Sequence, residues 1–118
     1  MRHETASCLS DALLAAERIQ EKLAGVDEQE YSGNWETQSV VERQFIVLGE
    51  SLVRIRELEP SIFERLPDSS RVVGFRNLLV HAYDKVLPER VFQIAREDLP
   101  SLREEVAALI EEAKRQGL

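Results

Sequence analysis

At 118 residues, 43% of them hydrophobic, the chain has the length of one domain (1–118) and enough apolar mass to bury a core, which sets disorder aside. It carries 22 acids against 15 bases, a net charge of −7, which argues against an extended nucleic-acid surface because affinity for phosphate rests on Lys and Arg. No apolar run approaches the roughly 18 residues of a membrane span and no charged-then-apolar leader opens the chain, so a cytoplasmic location without a membrane partner is expected.

Over residues 3–24, Leu9, Leu13, Ala16, Ile19 and Leu23 follow a helical period with no Pro or Gly inside, and Gly25 is a favourable residue at which to end the helix. The lone Cys8 cannot form an internal disulfide and falls near the apolar face, the usual place of a small buried hydrophobe. Residues 26–34, with Asp27, Glu28, Glu30 and Ser32-Gly33-Asn34, read as a connector holding at most one helical turn. Trp35 then stands where it can anchor the start of the next helix.

That second helix is expected from residue 36 or 37 to 58, because Val41, Phe45, Leu48, Leu52 and Ile55 repeat at alternating spacings of four and three, the seam of a helical bundle. Gly49 inside it costs about 1 kcal/mol relative to Ala, which points to the close approach of another helix or a ligand. Glu50 beside it is either solvated or holds an arginine such as Arg76 in place. Pro60 ends the helix and opens a short segment over 61–65, and Asp68, Ser69 or Ser70 can cap a third helix over about 70–83. This helix is short and apolar on more than one side, as expected of an element buried on two faces in the bundle or in a dimer.

Pro88 is well placed in the first turn of a last helix, in which Phe92, Ala95, Leu99, Leu102, Val106, Leu109 and Ala113 keep their spacing straight through Pro100. One helix kinked at Pro100 is therefore expected. With no alternating strand pattern and no repeat, the fold class is all-α, an up-and-down bundle of four main helices plus short helical turns.

Chemistry concentrates in one stretch, Arg76-Asn77-Leu78-Leu79-Val80-His81-Ala82-Tyr83. On an uninterrupted helix Arg76 and Tyr83 lie about 20° apart in azimuth, with Asn77 and His81 as an (i, i+4) pair on the neighbouring flank. Arg76 can clamp phosphate oxygens with its planar fork, His81 can move protons near neutrality, Asn77 can orient His81, and Tyr83 can stack on or hydrogen-bond to a nucleotide. Arg76 and His81 stand about 140° apart around an ideal helix, so they converge on one phosphate only if two copies of the helix meet across a two-fold dimer. The surroundings of the motif are less acidic than the rest: residues 65–96 hold six bases and three acids. A metal site is not expected, since the chain has only His3 and His81, one cysteine and scattered carboxylates, and no phosphate-binding glycine loop or nucleophile elbow occurs.

The letters Arg, four residues, His, one residue, Tyr resemble the motif of the HEPN ribonucleases. Together with Ile46-Val47-Leu48-Gly49-Glu50, Gly74-Phe75 and Asp98-Leu99-Pro100, in that order, the chain from about residue 9 to 109 looks like a HepT-like toxin of a bacterial toxin–antitoxin pair. The resemblance implies a homodimer with a composite, metal-independent site that cleaves RNA through Arg76 and His81, with Asn77 and Tyr83 in support and no cofactor. It also implies a minimal nucleotidyltransferase as antitoxin partner, transferring AMP to Tyr83. The attached phosphate would repel and block RNA at that spot. Two other readings stand beside it: a non-catalytic HEPN module that binds a nucleotide or a nucleotidyltransferase, and a purely structural helical dimer.

Overall fold

The computed structural model describes residues 1–118. Helix α1 (His3–Leu23) buries Leu9, Ala12, Ala16, Ile19 and Leu23, and Gly25 at φ 73° takes the left-handed conformation that reverses the chain. The connector holds a complete short helix, α2 (Glu28–Ser32), started by a capping box. The Asp27 side chain accepts from the Glu30 amide at 2.8 Å, and Glu30 Oε1 accepts from the Asp27 amide at 3.3 Å. This closure swings the buried Tyr31 ring to 5.7 Å from Phe92.

Helix α3 (Trp35–Leu58) carries the expected seam, with Val41, Phe45, Leu48, Leu52 and Ile55 fully buried. Trp35 does not anchor it. The indole is 73% exposed, because the Asn34 side chain caps the helix by accepting from the Thr37 amide at 3.1 Å, leaving burial to Thr37 and Val41 one turn on. Pro60 opens α4 (Pro60–Phe63), and α5 (Ser69–His81) follows. None of the candidate residues caps α5 with its side chain. Asp68 occupies the cap position at φ 61°, outside the extended region from which a side chain reaches the first amides, and Ser69 Oγ donates backward to the Leu66 carbonyl at 2.9 Å.

Helix α5 also ends earlier than its letters suggest, at His81, and Tyr83 to Lys85 form a 3-10 turn. Leu87 must be extended before Pro88, at φ −92° and ψ 142°, so the chain has to leave the helix in this interval. The last helix is two: α6 (Pro88–Glu97) and α7 (Leu99–Arg115), parted at Asp98. Pro100 offers no N–H to the Arg96 carbonyl and its ring displaces that carbonyl, so the break falls two residues ahead of the proline, which then sits harmlessly in the first turn of α7. The apolar seam runs on across the break.

The elements pack as an all-α bundle in which α1 lies along α3, α5 on α3 and α7 on α1, with α6 against α2. Thr5 Oγ1 and the Arg2 amide both donate to Glu59 Oε1, at 2.9 and 3.0 Å, tying the start of α1 to the end of α3 and fixing the pair as antiparallel. A bidentate Arg65–Glu112 pair at 2.9 and 3.1 Å pins the segment after α4 to the end of α7.

Where α3 meets α5, Gly49 is the point of closest approach. A Cβ built on it would fall 2.4 Å from Arg76 Cβ and 2.6 Å from its Cγ, whereas one on Gly74 would meet nothing within 4 Å. Gly49→Ala is expected to destabilise the protein, the overpacking cost of about 1–3 kcal/mol outweighing the gain of about 1 kcal/mol in helix propensity. Gly74→Ala should raise stability by up to about 1 kcal/mol, and urea titration of both variants reads the opposite signs.

Burial raises the Asp98 carboxyl above its ordinary range, with Arg71 at 3.5 Å offsetting part of the effect, and Oδ2 has no partner. The folded protein therefore binds this proton more tightly than the unfolded chain. The resulting destabilisation is absent well below pH 3.8 and complete once pH exceeds the raised folded value. Asp98→Asn should accordingly raise the unfolding midpoint at pH 7 and leave it nearly unchanged at about pH 3.

Candidate active site

Arg76 leaves α5 on the side facing α3, where the missing side chain of Gly49 gives its stem a place to lie. The side chain is only 23% exposed. Its Nη2 points to Glu50 Oε1 at 3.5 Å and its Nη1 donates to Asn77 Oδ1 at 2.9 Å, while Nε is buried with no acceptor. The guanidinium is thus held from three directions and still has donor capacity to spend on a ligand. Of the two readings of Glu50, the structure selects the one in which it holds Arg76.

Asn77 serves the arginine beside it rather than His81, with which it makes no hydrogen bond. A carboxamide oxygen next to a half-buried guanidinium finds a charged donor on the neighbouring residue, and charge-assisted hydrogen bonds are the stronger ones. His81 is the last residue of α5, exposed, with no side-chain partner. Since both residues are in one regular helix, the separation of about 140° holds, and Arg76 and His81 of one protomer do not aim at the same point.

Tyr83 does not share a ridge with Arg76. It lies past the helix end in the 3-10 turn, 59% exposed, with its hydroxyl directed at the Glu42 carboxylate on α3. The nearby Glu42 carboxylate raises the phenol above its usual pKa, because ionising it would set two negative charges together. Glu42 is itself pushed up by burial, the neighbouring Tyr83 hydroxyl opposing the shift. Beneath them the Tyr31 hydroxyl is buried without a partner and is raised furthest of the three, mainly by desolvation.

Glu42 and Tyr31 escaped the sequence reading. The signal for Glu42 was present: it precedes Gly49 by seven residues, as Arg76 precedes Tyr83, and α3 and α5 run antiparallel, so Gly49 meets Arg76 where Glu42 meets Tyr83. Nothing in the pattern marked Tyr31, whose position depends on the α2 turn. The second apolar side of α5 stays open, with Leu78 48% and Val80 43% exposed, while Val72, Val73, Phe75 and Leu79 face the core.

No curated protein and no solved structure matches the chain. Residues 12–109 match the family described as ribonuclease HepT-like, a stretch that spans Glu42, Gly49, Glu50 and the whole of α5. On that match, which covers most of the chain and contains every group of the site just described, the protein belongs to the HepT-like ribonuclease family.

Proposed function

We propose that this protein is the endoribonuclease toxin of a bacterial toxin–antitoxin pair, cleaving RNA without a metal at a site shared between two copies of α5. The observation that carries the reading is Arg76, fixed by Gly49, Glu50 and Asn77 yet left with an unpaired, buried Nε. A cation set in place before the substrate arrives stabilises charge growing on a phosphate without reorganisation at the moment of reaction. His81 takes the proton of the 2′-hydroxyl, whose oxygen attacks the adjacent phosphorus and expels the 5′-oxygen of the next nucleotide, leaving a 2′,3′-cyclic phosphate. Neither step calls for a cofactor.

The angle between Arg76 and His81 supports a composite site. Two α5 helices brought together through Leu78 and Val80 give Arg76 of one protomer and His81 of its partner a common cleft, and they cover apolar surface that the single chain leaves open. Tyr83, exposed at the mouth of this region, is the residue that a nucleotidyltransferase antitoxin modifies with AMP. The added phosphate carries negative charge to the place where RNA phosphate must enter, beside the Glu42 carboxylate. The acidic balance of the chain, −7, suits docking of a basic protein partner. The same balance favours the second reading, a non-catalytic module that binds a nucleotide or its partner.

In EDTA, wild-type protein should cleave a mixed RNA pool to cyclic-phosphate ends, while Arg76→Ala and His81→Ala, checked for unchanged helicity, lose about 10²- to 10⁴-fold in rate. Failure of an unmodified wild-type dimer to cut any RNA would move the reading to the binding module. Leu78→Glu should give a folded monomer by ultracentrifugation with no detectable cleavage, and an active monomer would contradict the shared site. With ATP and a partner nucleotidyltransferase, mass spectrometry should find AMP on Tyr83 and none on the Tyr83→Phe protein, with activity of the variant no longer controlled by the partner.

A further inference from the structure

Between α1 and α3 lies a cleft of about 310 Å³, at the small end of the range that ligand sites occupy. Leu14 and Val47 give it apolar walls, and Gln44, Arg18 and Arg54 complete its lining. Glu50 lines it too, and the same carboxylate is paired with Arg76, so the cleft adjoins the candidate active site.

Three features define what it would take. Arg18 and Arg54 are in no ion pair, although the cleft's own Glu50 pairs with Arg76 and five further pairs form elsewhere. The acids Asp11 and Glu50 line the same cleft, which makes it a poor trap for a free anion and a fitting one for a flat, neutral, partly apolar group whose charged tail reaches an arginine. Finally, Gln44 Oε1 is buried with no donor. A buried amide oxygen without a partner is costly, and a turn of the Gln44 side chain toward the cleft would let a base with an exocyclic amino group satisfy it. Of the bases, adenine is the one that a glutamine amide reads with both its ends, accepting from N6 and donating to N7.

We infer that the α1/α3 cleft is a subsite for one base of the RNA strand, the nucleotide next to the scissile phosphate, read for adenine by Gln44 and held through its backbone by Arg54 and Arg18. This rests on the ribonuclease reading for the identity of the strand, while the binding of the base does not. A second depression bordered by Arg18, Lys22 and Gln44 continues from the cleft away from Arg76. A strand therefore has a path onward, which a site for a free mononucleotide would not need.

The test uses the full-length protein and two readouts. In the first, AMP, CMP, GMP and UMP are titrated separately and followed by amide NMR. AMP should bind about tenfold more tightly than UMP, with shifts at Gln44, Val47 and Ser51, and the preference should vanish in Gln44→Leu. Arg54→Ala should weaken all four nucleotides together, while Arg65→Ala, whose guanidinium is engaged by Glu112 elsewhere, serves as a control that changes nothing. In the second readout, sequenced cleavage ends should show adenine enriched beside the cut for wild type and not for Gln44→Leu. Equal binding of the four nucleotides, or shifts confined to other helices, overturns the subsite whether or not RNA is cut. AMP binding at Gln44 with cleavage ends of unchanged sequence in Gln44→Leu overturns the strand assignment and leaves a site for free adenine nucleotides. AMP binding at Gln44 in a protein that cuts no RNA retains the base site and removes the ribonuclease reading alone.

Discussion

The contact on which the site depends is the one between a glycine backbone and an arginine stem. Without a Cβ at Gly49, α3 and α5 come close enough for the Cβ and Cγ of Arg76 to occupy the space a side chain would fill. Arginine in water surrenders about 2 kcal/mol of rotamer freedom when it is fixed, and here that loss is taken during folding, before any ligand binds. Gly49 is unfavourable for its own helix and favourable for the packing of two. The strain of one element is thereby offset in the joint between elements, where Glu50 and Asn77 complete the hold on the guanidinium.

The same joint sets the spacing of everything around it. Antiparallel helices pair residues whose separations match, and seven residues along α3 face seven along the chain of α5 and its following turn. One end of the joint pairs Gly49 with Arg76 and the other pairs Glu42 with Tyr83. The turn after His81 does not undo this register. It lifts the phenol off the helix surface and leaves it accessible to solvent while still near Glu42 of α3. His81, between these two residues, is exposed and has no side-chain partner.

The helices of this protein can be read almost directly from the periods of their apolar residues, since Val41, Phe45, Leu48, Leu52 and Ile55 are all fully buried as their spacing implies. What the periods do not carry is where a helix ends. The exit after His81 is forced from downstream by Leu87-Pro88, and the parting at Asp98 by a proline that an unbroken apolar seam passes over. Caps turned on the backbone: Asn34, read only as connector, is extended and caps α3, whereas Asp68, a candidate cap, is left-handed and does not cap α5. At the site, Arg76 with Gly49 and Glu50 could be anticipated, because a glycine inside a helix demands a close neighbour. Glu42 required knowing that the helices run antiparallel, and Asn77 had two partners in reach, between which charge decided.

The parting at Asp98 also separates two sets of contacts. Helices α1, α3 and α7 share the long seams and are locked at their ends by Glu59 and Glu112, whereas α2 and α6 hold each other through Tyr31 and Phe92, with Arg96 stacked on Phe92 and donating to the Val26 carbonyl. No continuous helix crosses Asp98, so this pair joins the rest through side chains, Tyr31, Phe92 and Ile94 sharing one apolar core with α1, α3 and α7. Tyr31 feels the charge of Glu42 and of Tyr83, which links that end of the site to the α2/α6 pair. The cation and the tyrosine, written within eight residues of each other, thus answer to different neighbours: Arg76 to Gly49, Glu50 and Asn77, and Tyr83 to Glu42.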